Sequence, residues 1–138
     1  MIMTDLEGIR VQLAHDRTFT MQGLVVGWQR HIARLAEEMR GPVRQETWGA
    51  HDYFAALSLR DLIETGRYGL ARRHDHLVAA SVAATDELLR EITEEDRRGV
   101  VVRYGDPEPS LSSRWWWHRL PTRGLAREEL DSWYANEE

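Results

Sequence analysis

The chain has 138 residues, a length that allows one domain to bury its own hydrophobic core. Hydrophobic residues make up 42% and charged residues 30% of the chain, and this balance excludes a disordered protein. The chain contains no cysteine, which excludes disulfide bonds, thiolate metal sites and a cysteine nucleophile.

The first ten residues, MIMTDLEGIR, lack the basic and apolar regions of a signal peptide. The longest apolar runs are a few residues, far short of a membrane span. We therefore expect a cytoplasmic protein with no membrane partner.

All 18 basic residues are arginine, and the net charge is −5, so the molecule as a whole is not expected to bind nucleic acid. The charge is unevenly distributed. Residues 103–127 contain five arginines and two acids, whereas residues 128–138 contain five acids and no base. A basic segment therefore runs directly into an acidic tail.

Helical periodicity predicts a first long helix over residues 13–39, ended by Gly41 and Pro42. The residues of its apolar stripe are Met21, Leu24, Val25, Trp28, Ile32, Leu35 and Met39. Gly23 and Gly27 weaken this helix, so either another backbone packs closely there or the helix breaks within residues 16–23. We favour one continuous helix that can bend at these glycines. Before it, Thr4 and Glu7 have the spacing of a capping box, which predicts a helix start near Asp5.

A second helix is predicted over residues 51–65. Ala55, Leu59 and Leu62 share one side, whereas Phe54 and Leu57 fall on another, so the helix is either central or in contact with a second copy. A third helix is predicted from residue 68 or 70 to 95, with an inner stripe that includes Leu70, Leu77, Val78, Val82, Leu88, Leu89 and Ile92. The fold class is thus all-α, an antiparallel bundle of three to four helices forming a single domain over residues 1–138.

Within this domain, residues 1–98 are the predicted bundle core, and residues 99–138 form an irregular segment, rich in tryptophan and arginine, that packs on it. Residues 100–104 are β-branched and predict an extended segment, residues 106–113 a loop, and residues 125–134 a short helix.

Three of the six tryptophans are consecutive, in the run Arg114, Trp115, Trp116, Trp117, His118 and Arg119. Neither a helix nor a strand buries three successive large side chains on one face, so at least one ring should be partly exposed. The rings either clamp the segment onto the bundle or form a recognition surface, since Trp and Arg are frequent in binding hot spots. Our leading hypothesis is a non-catalytic binding or regulatory module with a protein or small-molecule partner.

The six histidines show neither His-Glu-x-x-His nor Glu-x-x-His spacing, so no metal and no cofactor is expected. His74 projects onto the inner stripe, at angles compatible with Ser81 and Thr85, and His31 and Arg17 lie near the inner face of the first helix. A second hypothesis is therefore a ligand-binding or catalytic pocket formed by His74, His31 and Arg17, and the alternative is a satisfied core network.

Ten residues, from Arg44 and Gln45 to His51 and Tyr53, resemble the arginine, polar residue, spacer, histidine, x, tyrosine signature of HEPN ribonucleases. The resemblance implies a metal-independent ribonuclease in which Arg44 and His51 act on the scissile phosphate from a helical dimer. Histidine transfers protons near neutral pH and arginine stabilises phosphate charge. The other interpretation is that Trp48 and Tyr53 pack the loop between helices, with His51 at a helix start. Homodimerisation through the second helix is a further expectation.

Overall fold

A computed structural model describes residues 6, 8–14, 17–41 and 48–137, and within 11–18 it describes the backbone alone. The elements in chain order are β1 (Arg10–Ala14), β2 (Arg17–Thr20), α1 (Met21–Arg40), α2 (Ala50–Arg67), α3 (Arg72–Ile92), β3 (Thr93–Glu95), α4 (Val100–Gly105), a 3-10 helix (Trp115–His118), β4 (Arg119–Pro121) and α5 (Leu125–Asn136). Helices dominate the described residues, which confirms the all-α fold class. None of these helices has the length and apolar character needed to cross a membrane.

The first predicted helix is wrong at residues 13–14 and 17–20, which belong to the antiparallel strands β1 and β2. Helix α1 begins at Met21 because Thr20, in an extended conformation, accepts a hydrogen bond from the Gly23 amide through its side chain. The apolar stripe from Met21 to Met39 is buried as predicted, so the periodicity was right and the start was not. The capping box at Thr4 and Glu7 lies outside the described residues.

Gly27 marks the contact of α1 with α2. A Cβ atom there would lie 2.7 Å from Leu59 Cδ2, so the missing side chain leaves room for α2. One turn further along α1, the ring of His31 lies 6.4 Å from that of Trp48, just before α2 begins. Since Trp48 precedes Leu59 along the chain, α2 runs antiparallel to α1.

Helix α2 is the central helix of the fold. It packs against α1 on one side and against α4 and α5 on another, where Phe54 and Leu57 are buried. Both apolar sides are thus covered within one chain, and a second copy is not needed to bury them. Ala55, predicted on the same apolar side as Leu59 and Leu62, is exposed instead. The start of α2 is held by α5, because the amide of Ala50 donates to Glu129 Oε1 at 2.8 Å.

Helix α3 ends at Ile92 rather than at the predicted residue 95. Residues 93–95 form strand β3, which pairs antiparallel with β4, Thr93 opposite Pro121 and Glu95 opposite Arg119. Tertiary pairing therefore overrides the helical pattern over the last turn. Of the predicted stripe, Val78, Val82 and Leu89 are buried, and its other members pack partly buried against the core.

The predicted extended segment at residues 100–104 is wrong, since these residues form α4. The buried Asp96 carboxylate accepts a hydrogen bond from the Val101 amide at 2.8 Å and caps the turn. Gly99 before the helix and Asp106 after it both adopt left-handed backbone conformations. Burial of Val100 and Val101 outweighs the weak helix propensity of β-branched residues.

The last third of the chain belongs to the core. Trp116, Trp117, Leu120, Ala126 and Leu130 are buried in the same hydrophobic cluster as α1 and α2. Helix α5 confirms the short helix predicted near residue 125. The C-terminal segment is therefore a layer that completes the core, and α1–α3 do not complete it alone.

Candidate functional site

The buried carboxylate of Asp61 in α2 accepts hydrogen bonds from the tryptophan run. The indole nitrogens of Trp116 and Trp117 donate to its two oxygens at 2.9 and 2.8 Å, and Arg114 Nη1 donates at 3.1 Å. Trp116 and Trp117 are only 2% and 1% exposed. These two rings therefore clamp the segment onto the bundle and do not form a recognition surface.

A second buried carboxylate lies beside the first. Asp86 of α3 accepts Nε and Nη2 of Arg60, both at 3.0 Å, and the Trp28 indole at 3.0 Å. The guanidinium of Arg60 also lies 4.4 Å from the centre of the Trp116 ring. Arg60 thus connects the Asp86 network to the tryptophan run.

Trp115 differs from the two rings that follow it. It is half-buried, its ring lies edge-on to Trp116, and the guanidinium of Arg90 covers it at 3.9 Å. This agrees with the expectation that one ring of the run is partly exposed. Of the three tryptophans, Trp115 is therefore the one that can contact another molecule.

Trp115 lines an open recess of about 340 Å³ between the tryptophan run and the end of α2. A neighbouring recess of about 380 Å³ extends to the start of α3, and the two share Glu64, Arg67 and Tyr68. We refer to both together as the α2-end cleft. Its lining residues are Arg60, Glu64, Arg67, Tyr68, Leu70, Arg72, Asp75, Arg114, Trp115 and Trp116.

Tyr68 is the most unusual residue of the α2-end cleft. It is 83% exposed, and among the described residues it is the one large hydrophobic side chain that is exposed. The sequence analysis missed it. A signal was present, because an aromatic residue in the short stretch between Gly66 and Gly69, where a helix ends, has no packing reason to be there.

Ion pairs hold Arg60, Arg67 and Arg114 of the cleft in place. Arg67 Nε donates to Asp75 Oδ1 at 2.6 Å, and this hydrogen bond raises the pKa of Arg67 and lowers that of Asp75. Glu64 accepts Nη1 of both Arg60 and Arg67, at 3.1 and 3.2 Å. The lining contains four arginines and two acids, and Asp86 and Asp61 behind it pair with Arg60 and Arg114. Arg72 is the arginine of the lining that forms no ion pair with a described residue.

His118 and Arg119, the other predicted members of the surface, lie away from the cleft lining. The exposed His118 ring contacts the Ser112 carbonyl oxygen at 2.7 Å through Nε2. Arg119 donates to Thr93 Oγ1, to the Thr93 carbonyl and to the Arg90 carbonyl. Arg119 therefore caps the end of α3.

His31 and His74, members of the predicted pocket with Arg17, have different neighbours. His31 lies midway along α1 and contacts the ring of Trp48. His74 lies in the first turn of α3, beside Asp75, which pairs with Arg67 at the end of α2. The pocket hypothesis stays an untested prediction. Arg17 lies in β2, where the structure describes the backbone.

The residues of the HEPN-like pattern have different surroundings. His51 is exposed and contacts the rings of Phe54 and Trp133. Tyr53 is fully buried and donates a hydrogen bond to the Arg119 carbonyl at 2.7 Å, and burial raises the pKa of its phenol. Arg44 lies outside the described residues, and the ribonuclease hypothesis stays an untested prediction.

Comparisons with protein-family models, curated protein sequences and solved structures find no match to this chain. In the described part of the chain, no group of three or more histidine or acidic side chains is arranged to hold a metal ion. The geometry of the cleft is therefore the basis for a functional proposal.

Proposed function

We propose that this chain is a non-catalytic binding module and that the α2-end cleft is the surface to which a protein partner binds. The observation that carries the proposal is Tyr68, 83% exposed where the two recesses meet. A tyrosine left in water beside a tryptophan and several arginines has the composition of a binding hot spot.

The cleft residues are held rigidly, which favours binding. Asp75 fixes Arg67, Asp61 fixes Arg114, and the Arg90 guanidinium covers Trp115. A side chain that is already immobilised loses little conformational entropy when a partner binds. Tyr68 is the exposed aromatic contact beside these fixed side chains.

This proposal narrows the surface expected from the sequence. Arg114 and Trp115 lie at the cleft, and Trp116 forms one edge of its recess. Trp116 and Trp117 are buried and hold the tryptophan run against Asp61. Tyr68, Arg67 and Glu64 of α2 and the turn that follows complete the surface. The partner would therefore contact two segments that are far apart in the chain, residues 64–68 and residues 114–115.

Site-specific photocrosslinking tests the proposal. We expect a benzophenone amino acid at position 68 to give one discrete, reproducible adduct in cells, and the same group at the exposed Ala83 of α3 to give none. The Trp115→Ala variant should reduce the adduct at least severalfold without changing the circular dichroism spectrum. Equal adducts at positions 68 and 83, or none at position 68, would contradict the proposal.

A further inference from the structure

We infer that the partner presents a short acidic peptide segment to the α2-end cleft, with a carboxylate next to an aromatic or large apolar side chain. The inference rests on the proposed function and adds the chemistry of the ligand. Its basis is that Arg67 and Arg114 have N–H donors without a hydrogen-bond acceptor, beside the rings of Tyr68 and Trp115.

Two arginines in the cleft have N–H groups left to donate. Arg67 uses Nε and Nη2 on Asp75 and Nη1 on Glu64. Arg114 uses Nη1 on the carboxylate and carbonyl of Asp61, and Nη2 on Thr65 Oγ1. Each guanidinium carries five N–H donors, so both retain some for a ligand. Their side chains are 22% and 17% exposed, and a carboxylate from outside can reach them.

Glu64 shows how the cleft holds a carboxylate. Its Oε1 atom lies between Nη1 of Arg60 and Nη1 of Arg67, at 3.1 and 3.2 Å. A partner carboxylate can bind beside it, on the outer edges of Arg67 and Arg114. Arg72, exposed in the first turn of α3, makes no ion pair with any described residue and adds to the attraction.

The charge of Arg72 distinguishes between acidic and basic ligands. Arg60 and Arg114 are paired with Asp86 and Asp61 behind the lining, and Arg67 is paired with Glu64 and Asp75. Arg72 has no such partner among the described residues, so a carboxylate is attracted there and a lysine-rich segment meets like charge. Each recess lies near the lower end of the range of ligand sites, about 300–1,000 Å³. That volume suits a few side chains of a peptide, with its apolar ring against Tyr68 and Trp115.

The test is a titration of the ¹⁵N-labelled protein with three peptides at physiological salt. The peptides are N-acetyl-Phe-Glu-Glu amide, its Gln-Gln isostere and its Lys-Lys counterpart. The reporters are the backbone amides of Tyr68 and Gly69 and the Trp115 indole, assigned with Trp115→Phe. We expect the acidic peptide to shift these signals and to bind about tenfold more tightly than the isostere, a difference of about 1.4 kcal/mol.

Two arginine variants and one control locate the effect. Arg67→Gln and Arg72→Gln should each reduce the preference for the acidic peptide, and Arg72→Gln leaves every described ion pair intact. Arg97→Gln removes an exposed arginine next to β3 and should not change the preference. Loss of signal dispersion in Arg67→Gln would leave Arg72→Gln as the decisive variant.

The outcomes separate the two proposals. Equal shifts at the cleft from the acidic and neutral peptides overturn the carboxylate inference and leave the binding module standing. Tighter binding of the lysine peptide overturns it in favour of a cationic ligand on Glu64. Shifts confined to other parts of the molecule, with the reporters unmoved by every peptide, count against both.

Discussion

Arg60 and Asp61 are neighbours in α2, but their side chains belong to two different buried networks. Arg60 forms a bidentate pair with Asp86 of α3, and Asp61 accepts the indole N–H groups of Trp116 and Trp117. One turn of α2 therefore holds both the third helix and the C-terminal layer. Because both carboxylates are buried, their partners are essential.

Replacing Asp61 should strongly destabilise the protein. The Asp61→Ala variant leaves two buried indole N–H groups without an acceptor and removes the carboxylate that pairs with Arg114. We expect a loss of about 3–5 kcal/mol in the free energy of unfolding. Urea denaturation followed by tryptophan fluorescence measures the loss. Glu91→Ala, at an exposed position of α3, is the control, and a similar small loss in both variants would show that Asp61 is not an anchor.

Gly105 should not tolerate a side chain. A Cβ atom there would lie 2.7 Å from the Trp117 ring and 3.0 Å from the Phe54 ring, and buried rings cannot move aside easily. We expect Gly105→Ala to lower the free energy of unfolding by about 1–3 kcal/mol. Gly69→Ala has nothing within 4 Å and should change stability by less than about 0.5 kcal/mol. Equal midpoints in urea for the two variants would contradict the packing argument.

Tyr53 should contribute a stability that depends on alkaline pH. At pH 7 the Tyr53→Phe variant loses the hydrogen bond to the Arg119 carbonyl, worth about 1 kcal/mol. Burial raises the pKa of Tyr53 in the folded state, so the stability from its neutral phenol is present below the unfolded pKa near 10 and is lost as the pH rises above it. The difference between the two proteins should therefore shrink above pH 10. Urea midpoints between pH 7 and 11 measure it, and a constant difference would refute the prediction.

The Arg67–Asp75 pair should make stability sensitive to acid. The hydrogen bond from Arg67 lowers the pKa of Asp75 in the folded state, so its contribution is present above the unfolded pKa of about 4 and is lost as the pH falls through the lower folded pKa. Asp75→Asn should accordingly be less stable than the wild type at pH 7, and the difference should shrink as the pH falls below about 4.

The double-mutant cycle with Arg67→Gln is the control for this pair. Once Arg67 is removed, Asp75→Asn should lose its pH-dependent effect on the urea midpoint. An unchanged effect in that background would assign it to another neighbour of Asp75.

Helical periodicity predicted what depends on local pattern. The buried stripe of α1, the position of α2 and the short α5 follow from apolar spacing and from stop signals such as Gly41. Where tertiary contacts determine the secondary structure, the apolar pattern predicted it wrongly. The valines of α4 are helical because Asp96 caps them and the core buries them, and spacing along the chain carries neither fact.

The site was harder to predict than the fold. Trp116 and Trp117 both reach Asp61 because their backbone forms a 3-10 helix. The sequence prediction considered only an α-helix and a strand for this run. The burial of Asp61 and Asp86 could not be predicted from the sequence, because their tryptophan partners lie 55 and 58 residues away. Tyr68 carried its own signal, an aromatic residue in a glycine-flanked turn.

The adjacency of Arg60 and Asp61 sets an order of assembly. Arg60 meets Asp86 across 26 residues, whereas Asp61 must wait for rings 55 and 56 positions further along. As the chain leaves the ribosome, the three long helices can associate while the tryptophans are still being synthesised. We expect the Asp61 carboxylate to stay hydrated until the indoles arrive, so that their docking is a late step of folding.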